Sequence, residues 1–125
     1  MPKLSRLSLY LQAVFYTAAG TNHFINPEFY LPLIPDYLSE KEIINWVSGG
    51  VEILLGVGLI TKYRARAALG IVVMLGVFIP SHIYFIQLGS CVEGSLCVDS
   101  WVSWTRLVVV HPLLMFWAWS ARKKN

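Results

Sequence analysis

Four long apolar stretches constrain this chain more than anything else in it: about 4–25, 43–60, 67–88 and 101–121. Each has about 18 to 22 residues, enough to cross roughly 30 Å of hydrocarbon at about 1.5 Å per residue. Helices of soluble domains average about 11 or 12 residues and keep charge on one face. These four carry almost no charge on any face. Of the 125 residues, 56% are hydrophobic and 14% charged, where an ordinary soluble domain has about 25% charged. The pattern predicts an all-α membrane protein, an antiparallel bundle of four transmembrane helices forming one domain over residues 1–125. The first stretch holds Gln12, Tyr16, Asn22 and His23 and lacks a small-x-small cleavage site. It reads as a retained helix rather than a signal peptide.

The formal net charge of +3 is explained by topology. Lys3 and Arg6 precede the first stretch, Lys62, Arg64 and Arg66 lie between the second and third, and Arg122, Lys123 and Lys124 follow the fourth. The other two connections carry Glu28, Asp36, Glu40, Glu42, Glu93 and Asp99, with Lys41 as their only base. The positive-inside rule then sets both termini in the cytoplasm. The expected location is multi-pass in a bacterial inner membrane, with the lipid bilayer as partner. No basic stripe is left over for nucleic acid once the topology is assigned. The first outer connection, "NPEFYLPLIPDYLSEK", has three prolines and is expected to lie unhelical on the membrane surface.

Ionisable residues inside the apolar stretches are the candidate site. Glu52 stands in "GGVEILLGVGLI"; His23, His82 and Arg106 stand in the other three stretches. Counted from the outer boundary, all four fall within a slab of about 10 Å in the outer half of the bilayer. At about 100° per residue, Glu52 shares a face with Asn45, Ser48, Gly49 and Gly56, and His23 with Gln12, Tyr16, Ala19 and Gly20. Both faces are small and polar, as surfaces between membrane helices are. His111 lies about 140° round from Arg106 on an ideal helix and is not expected at the site. A lone charge at mid-membrane costs about 2.5–3.5 kcal/mol on insertion scales, so Glu52 is expected to pair with Arg106. A structural ion pair, a ligand pocket and a proton path are the three readings. The proton path is weakest, because no polar continuation to the cytoplasmic side is evident. Pro80 is expected to kink the third helix, and Pro112 frees the carbonyl of Val108.

Cys91 and Cys97 lie together in the second outer connection. In an oxidising compartment they are expected to close a small structural disulfide. A redox-active pair and two free thiols are the alternatives, the former without the Cys-x-x-Cys spacing that tunes a thiol. The cysteines and histidines lack zinc-ligand spacing, and no metal site is expected. No phosphate-binding loop, dinucleotide fingerprint or nucleophile elbow is present.

Four blocks, "GTNHFINPEFYLPLIPDYL", "SGGVEILLGVGLI", "FIPSHIYF" and "WTRLVVVHPLLMFWAW", come in an order and spacing that resembles the DoxX family of small four-helix membrane proteins. The resemblance covers nearly the whole chain. It implies a four-helix membrane fold, with His23, Glu52, His82 and Arg106 at the family's polar positions. It implies a link to thiosulfate:quinone oxidoreduction and membrane redox complexes, and through distant relatives to chaperone and cargo-receptor roles. The family often has Pro and Gln shortly after the Arg; Val108 and Val110 stand there in this chain, leaving that contact to His111 or to nothing.

Two functions follow as expectations. One is a membrane redox subunit that binds a quinone or similar amphipathic ligand at His23, Glu52, His82 and Arg106. Its electrons come from a partner, since the chain has no haem, flavin or iron–sulfur motif. The other is a non-enzymatic assembly factor or chaperone that receives partner helices, lipid or a second copy of itself.

Overall fold

The computed structural model describes residues 2–122, with side chains from Arg6 onward. Lys123 and Lys124, expected in the cytoplasm, lie outside the described residues, as does the side chain of Lys3. The described chain is all-helical, with one isolated bridge between Cys91 and Cys97 in place of any strand. Helix α1 is Pro2–Ile25 and α2 is Pro27–Tyr30, followed by a 3-10 turn at Leu31–Leu33 and by α3, Lys41–Gly58. Helices α4 (Arg64–Val77) and α5 (Ile79–Gln87) run on from one another across Phe78. Helix α6 (Ser100–Thr105), a π-helical segment (Arg106–Val110) and α7 (His111–Ala121) form one further continuous run.

Four rods therefore match the four apolar stretches to within a few residues. By length and composition, Arg64–Gln87 is the one helix found among the described residues that is long and apolar enough to cross a membrane. The others carry more polarity: α3 holds Lys41, Glu42 and Glu52 in its 18 residues. The break at Phe78 is the expected effect of Pro80, which has no N–H to continue the ladder. Pro112 acts differently. The chain ahead of it widens into the π segment, and His111 N–H bonds back five residues to Arg106 O.

The rods pack chiefly as two pairs, α1 on α3 and α4 on α7, with α3 also meeting α4. Glycine decides the first pair. A β-carbon on Gly20 would lie 2.6 Å from Gly49 O, and one on Gly49 would lie 2.8 Å from Gly20 O. At Gly56 it would meet Thr17 N at 2.9 Å. Backbone thus rests on backbone along this seam, which only small residues permit. Ala13, Tyr16, Leu59, Ala68, Ile71 and Leu75 make the apolar core between the pairs.

Burial runs against the soluble norm. One large apolar residue from each rod shows the outer surface: Val14 is 67% exposed, Leu54 71%, Val73 66% and Phe116 70%. Gln12, His23, Asn45, Glu52, Ser103 and His111 are buried instead.

The proline-rich connection departs in part from the sequence expectation. Residues 27–33 are helical, because Pro27 falls in the first turn of α2, where its missing N–H costs nothing, while residues 34–40 are unhelical as expected. Two hydroxyls tie it to the rest: Ser81 Oγ donates to Leu33 O at 2.8 Å, and Ser95 Oγ donates to Phe29 O at 2.6 Å. Exposed Asp36 accepts from Lys41 and Tyr84, which hold its carboxyl below the usual range. Helix α5 ends in a Schellman turn, with Ser90 N–H on Phe85 O, Gly89 N–H on Ile86 O, and Gly89 at φ +83°.

Cys91 and Cys97 are at disulfide distance, and the loop between them docks on α2 through Ser95. The loop is short, so removing the bond restores little entropy to the unfolded chain, about 2 kcal/mol. A Cys91→Ala, Cys97→Ala double variant is expected to lose about that much and to remain folded. Thermal denaturation of wild type with and without reductant checks it, and unfolding at room temperature would contradict it.

Candidate functional site

The four expected residues do not form one cluster. They separate into two pairs, held between different rods.

The first pair is His23, in the last turn of α1, and Glu52, at the middle of α3. His23 Nε2 lies 3.1 Å from Glu52 Oε2. This corrects the expected Glu52–Arg106 pair: the carboxylate is answered by the imidazole, because the glycine seam holds α1 directly against α3 at that level. Asn45, two turns before Glu52, holds the ring on its other side. His23 Nδ1–H donates to Asn45 Oδ1 at 2.7 Å, and Asn45 Nδ2–H donates to His23 O at 2.9 Å. The second bond orients the amide, since the flipped form would set two oxygens against each other. Nδ1 therefore carries a proton, and one further proton is shared between Nε2 and the Glu52 carboxyl. Imidazolium with carboxylate and imidazole with carboxylic acid are both neutral overall, which is how the dyad is tolerated in a buried place.

Tyr30 of α2 covers this dyad. Its ring stacks on His23 with centroids 3.8 Å apart and planes at 18°. Asn22 Nδ2–H donates to the Tyr30 hydroxyl at 2.7 Å, and Asn26 Nδ2–H donates to Asn22 Oδ1 at 2.7 Å. The "NPEFY" turn is what brings Tyr30 back over the end of α1.

The second group joins α5 to the last rod. His82 and His111 meet edge to face at 4.6 Å between ring centroids. Arg106 lies over the Phe85 ring, with its guanidinium carbon 5.1 Å from the centroid, and within electrostatic reach of His82. His111 Nε2–H donates to Leu75 O at 2.5 Å. His111 was not expected here. A five-residue turn carries it closer to the Arg106 face than the 140° of an ideal helix, and Pro112 was the signal for that distortion.

Several buried polar atoms of this second group have no partner: Arg106 Nε, His82 Nδ1 and Ser103 Oγ, the last on the same face as Arg106 one turn earlier. Buried polar atoms without partners are rare in folded proteins and mark places that take water or a ligand. Around the first group, Tyr16 OH and Gln12 Oε1 are also without hydrogen bonds. Among the described residues no group of three or more His, Cys, Asp or Glu is placed to hold a metal.

Sequence reasoning found the four ionisable residues and both polar faces. It did not find the roles of Asn45, Tyr30 and His111. Asn45 was visible on the Glu52 face, but nothing in the spacing says that it holds an imidazole.

An all-helical chain with apolar residues outside and two polar groups inside is the class that the structure defines. The chain belongs to the family described as a domain of unknown function, DUF8561, whose model matches residues 12–122 and so takes in both groups. No curated protein and no solved structure matches it.

Proposed function

We propose that this is a four-span integral membrane protein of a bacterial inner membrane, with both termini cytoplasmic. It holds an amphipathic, quinone-like ligand beside His82 and Arg106, as a subunit of a quinone- or sulfur-linked redox system. Side chains such as Leu54 and Phe116, exposed on rods with polar interiors, support the membrane setting, since in water each would cost about 25 cal/mol per Å² of apolar surface. Arg6, Lys62, Arg66 and Arg122 at the inner end support the orientation. The likeness of the four sequence blocks to the DoxX family supports the redox setting. Electrons come from a partner protein.

The carrying observation is the set of unpartnered buried atoms at Arg106, His82 and Ser103 beside the Phe85 ring. Such a set can donate to carbonyl oxygens of a flat ring lying next to an aromatic face. The test is extraction of the gently purified protein and mass spectrometry of what comes with it, for wild type and Arg106→Gln. A quinone is expected with wild type, at least about tenfold depleted in the variant, as loss of a charge-assisted hydrogen bond would give. Equal amounts in both samples, or none in either, would sink the ligand reading.

A second reading has its own observation. The His23–Glu52–Asn45 group is largely self-satisfied and sits on a tight glycine seam, as a packing device would. A protein without ligand would then be an assembly factor for partner helices or lipid, and crosslinking in membranes would reveal what it holds.

A further inference from the structure

Against the expectation of no polar continuation toward the cytoplasmic side, the polar residues along α1 do not stop at His23. Ser8, Gln12, Tyr16 and His23 are spaced four, four and seven apart and fall on one face. They cover about 22 Å, most of a bilayer's hydrocarbon. Gln12 and Tyr16 are both 1% exposed, fully withdrawn from the outer surface. At the inner end the series is tied to α7: Trp117 Nε1–H donates to Ser8 Oγ at 2.6 Å, and Gln12 Nε2–H donates to Trp117 O at 3.3 Å. At the other end Tyr16 stands one turn before Gly20, whose β-position lies 2.9 Å from Glu52 Cβ.

Between these fixed ends, two successive buried oxygens have no hydrogen-bond partner: Gln12 Oε1 and Tyr16 OH. One orphan oxygen is a local defect. Two on consecutive turns of α1, each flanked by polar neighbours, describe adjacent sites for bridging water.

We propose that this column is a hydrated proton path from the inner end of the bundle to the His23–Glu52 dyad, closed on the outer side. It does not rest on the quinone reading, because its residues belong to α1, α3 and α7 and none of them contacts His82 or Arg106 among the described interactions. A proton arriving through water at Gln12 and Tyr16 joins the Glu52 carboxyl, and the proton already shared with His23 Nε2 leaves by the same chain of water. The dyad's charge is unchanged by the exchange. The path ends there: Nδ1–H is held by Asn45 Oδ1, and Tyr30 lies over the ring. Among the described residues, the titratable groups shown beside the dyad are Tyr16 from α1 and Tyr30 from α2. The ligand is water and the cargo a proton.

Water-edited solid-state NMR tests this on the full chain in lipid bilayers, labelled with nitrogen-15 histidine. The His23 ring signal is identified by its loss in His23→Gln. Rapid magnetisation transfer from mobile water to the His23 ring is expected in wild type. It should fall at least about fivefold when Gln12→Leu removes a bridging site. Tyr16→Phe removes a single hydroxyl from the same column and should act in the same direction, which keeps the test open if Gln12→Leu does not fold. Tyr30→Phe keeps the stacked ring and should leave the transfer unchanged. A dry His23 ring in wild type would overturn the proposal. So would a ring as hydrated in both column variants as in wild type, or one whose hydration responds to Tyr30→Phe alone.

Discussion

Gly49→Ala is expected to separate α1 from α3 and to cost at least about 3 kcal/mol, the upper end for an overpacked site. The added methyl would sit 2.7 Å from His23 Cβ, 2.8 Å from Gly20 O and 2.9 Å from Phe24 Cε2. Two of these neighbours cannot move alone: one is backbone, and the other is the first side-chain carbon of the residue that must meet Glu52. The helices can only part, and parting them also breaks the His23–Glu52 contact at 3.1 Å. Gly50→Ala is the matched control, one position along the same helix, with nothing within 4 Å of its β-carbon. It should be neutral or slightly stabilising, since alanine favours a helix by up to about 1 kcal/mol over glycine. Thermal unfolding of both variants in bicelles separates the two expectations. Equal melting temperatures would mean that the seam is not closed.

The second large effect concerns the charge. Glu52→Leu leaves His23 buried with an unanswered ring nitrogen, and removal of one partner of a buried pair costs about 3–5 kcal/mol. Glu52→Gln should cost far less, because an amide can donate to the neutral Nε2 that Asn45 leaves free. The double variant Glu52→Leu, His23→Leu should recover part of the loss seen in Glu52→Leu, as apolar replacements of buried pairs often do. A double-mutant cycle on unfolding free energy measures the coupling. Coupling near zero would show that the two residues do not answer one another. The same cycle with Arg106→Leu in place of His23→Leu should give no coupling, since the structure assigns Arg106 to Phe85 and His82.

These expectations also show where sequence and structure part. The four rods were legible, since each apolar stretch is long and its ends carry charge or proline. The buried faces of α1 and α3 were legible too, because Gln12, Tyr16, Gly20 and His23, and Asn45, Gly49, Glu52 and Gly56, recur at helical spacing and are small or polar. The break at Pro80 needed only the missing N–H of proline.

Partnership was not readable. Four ionisable groups on four rods can pair in several ways. The choice between His23 and Arg106 for Glu52 depends on which helices touch, and that was settled by the 2.6–2.9 Å clearances around Gly20 and Gly49. His111 was misplaced for a related reason. Its angle was taken from an α-helix, and the π segment at Arg106–Val110 changes that angle. The sequence by itself determined the rods and their polar faces, because these depend on local spacing. Only the tertiary structure decided which charges meet, because pairing depends on distances between helices that no local pattern records.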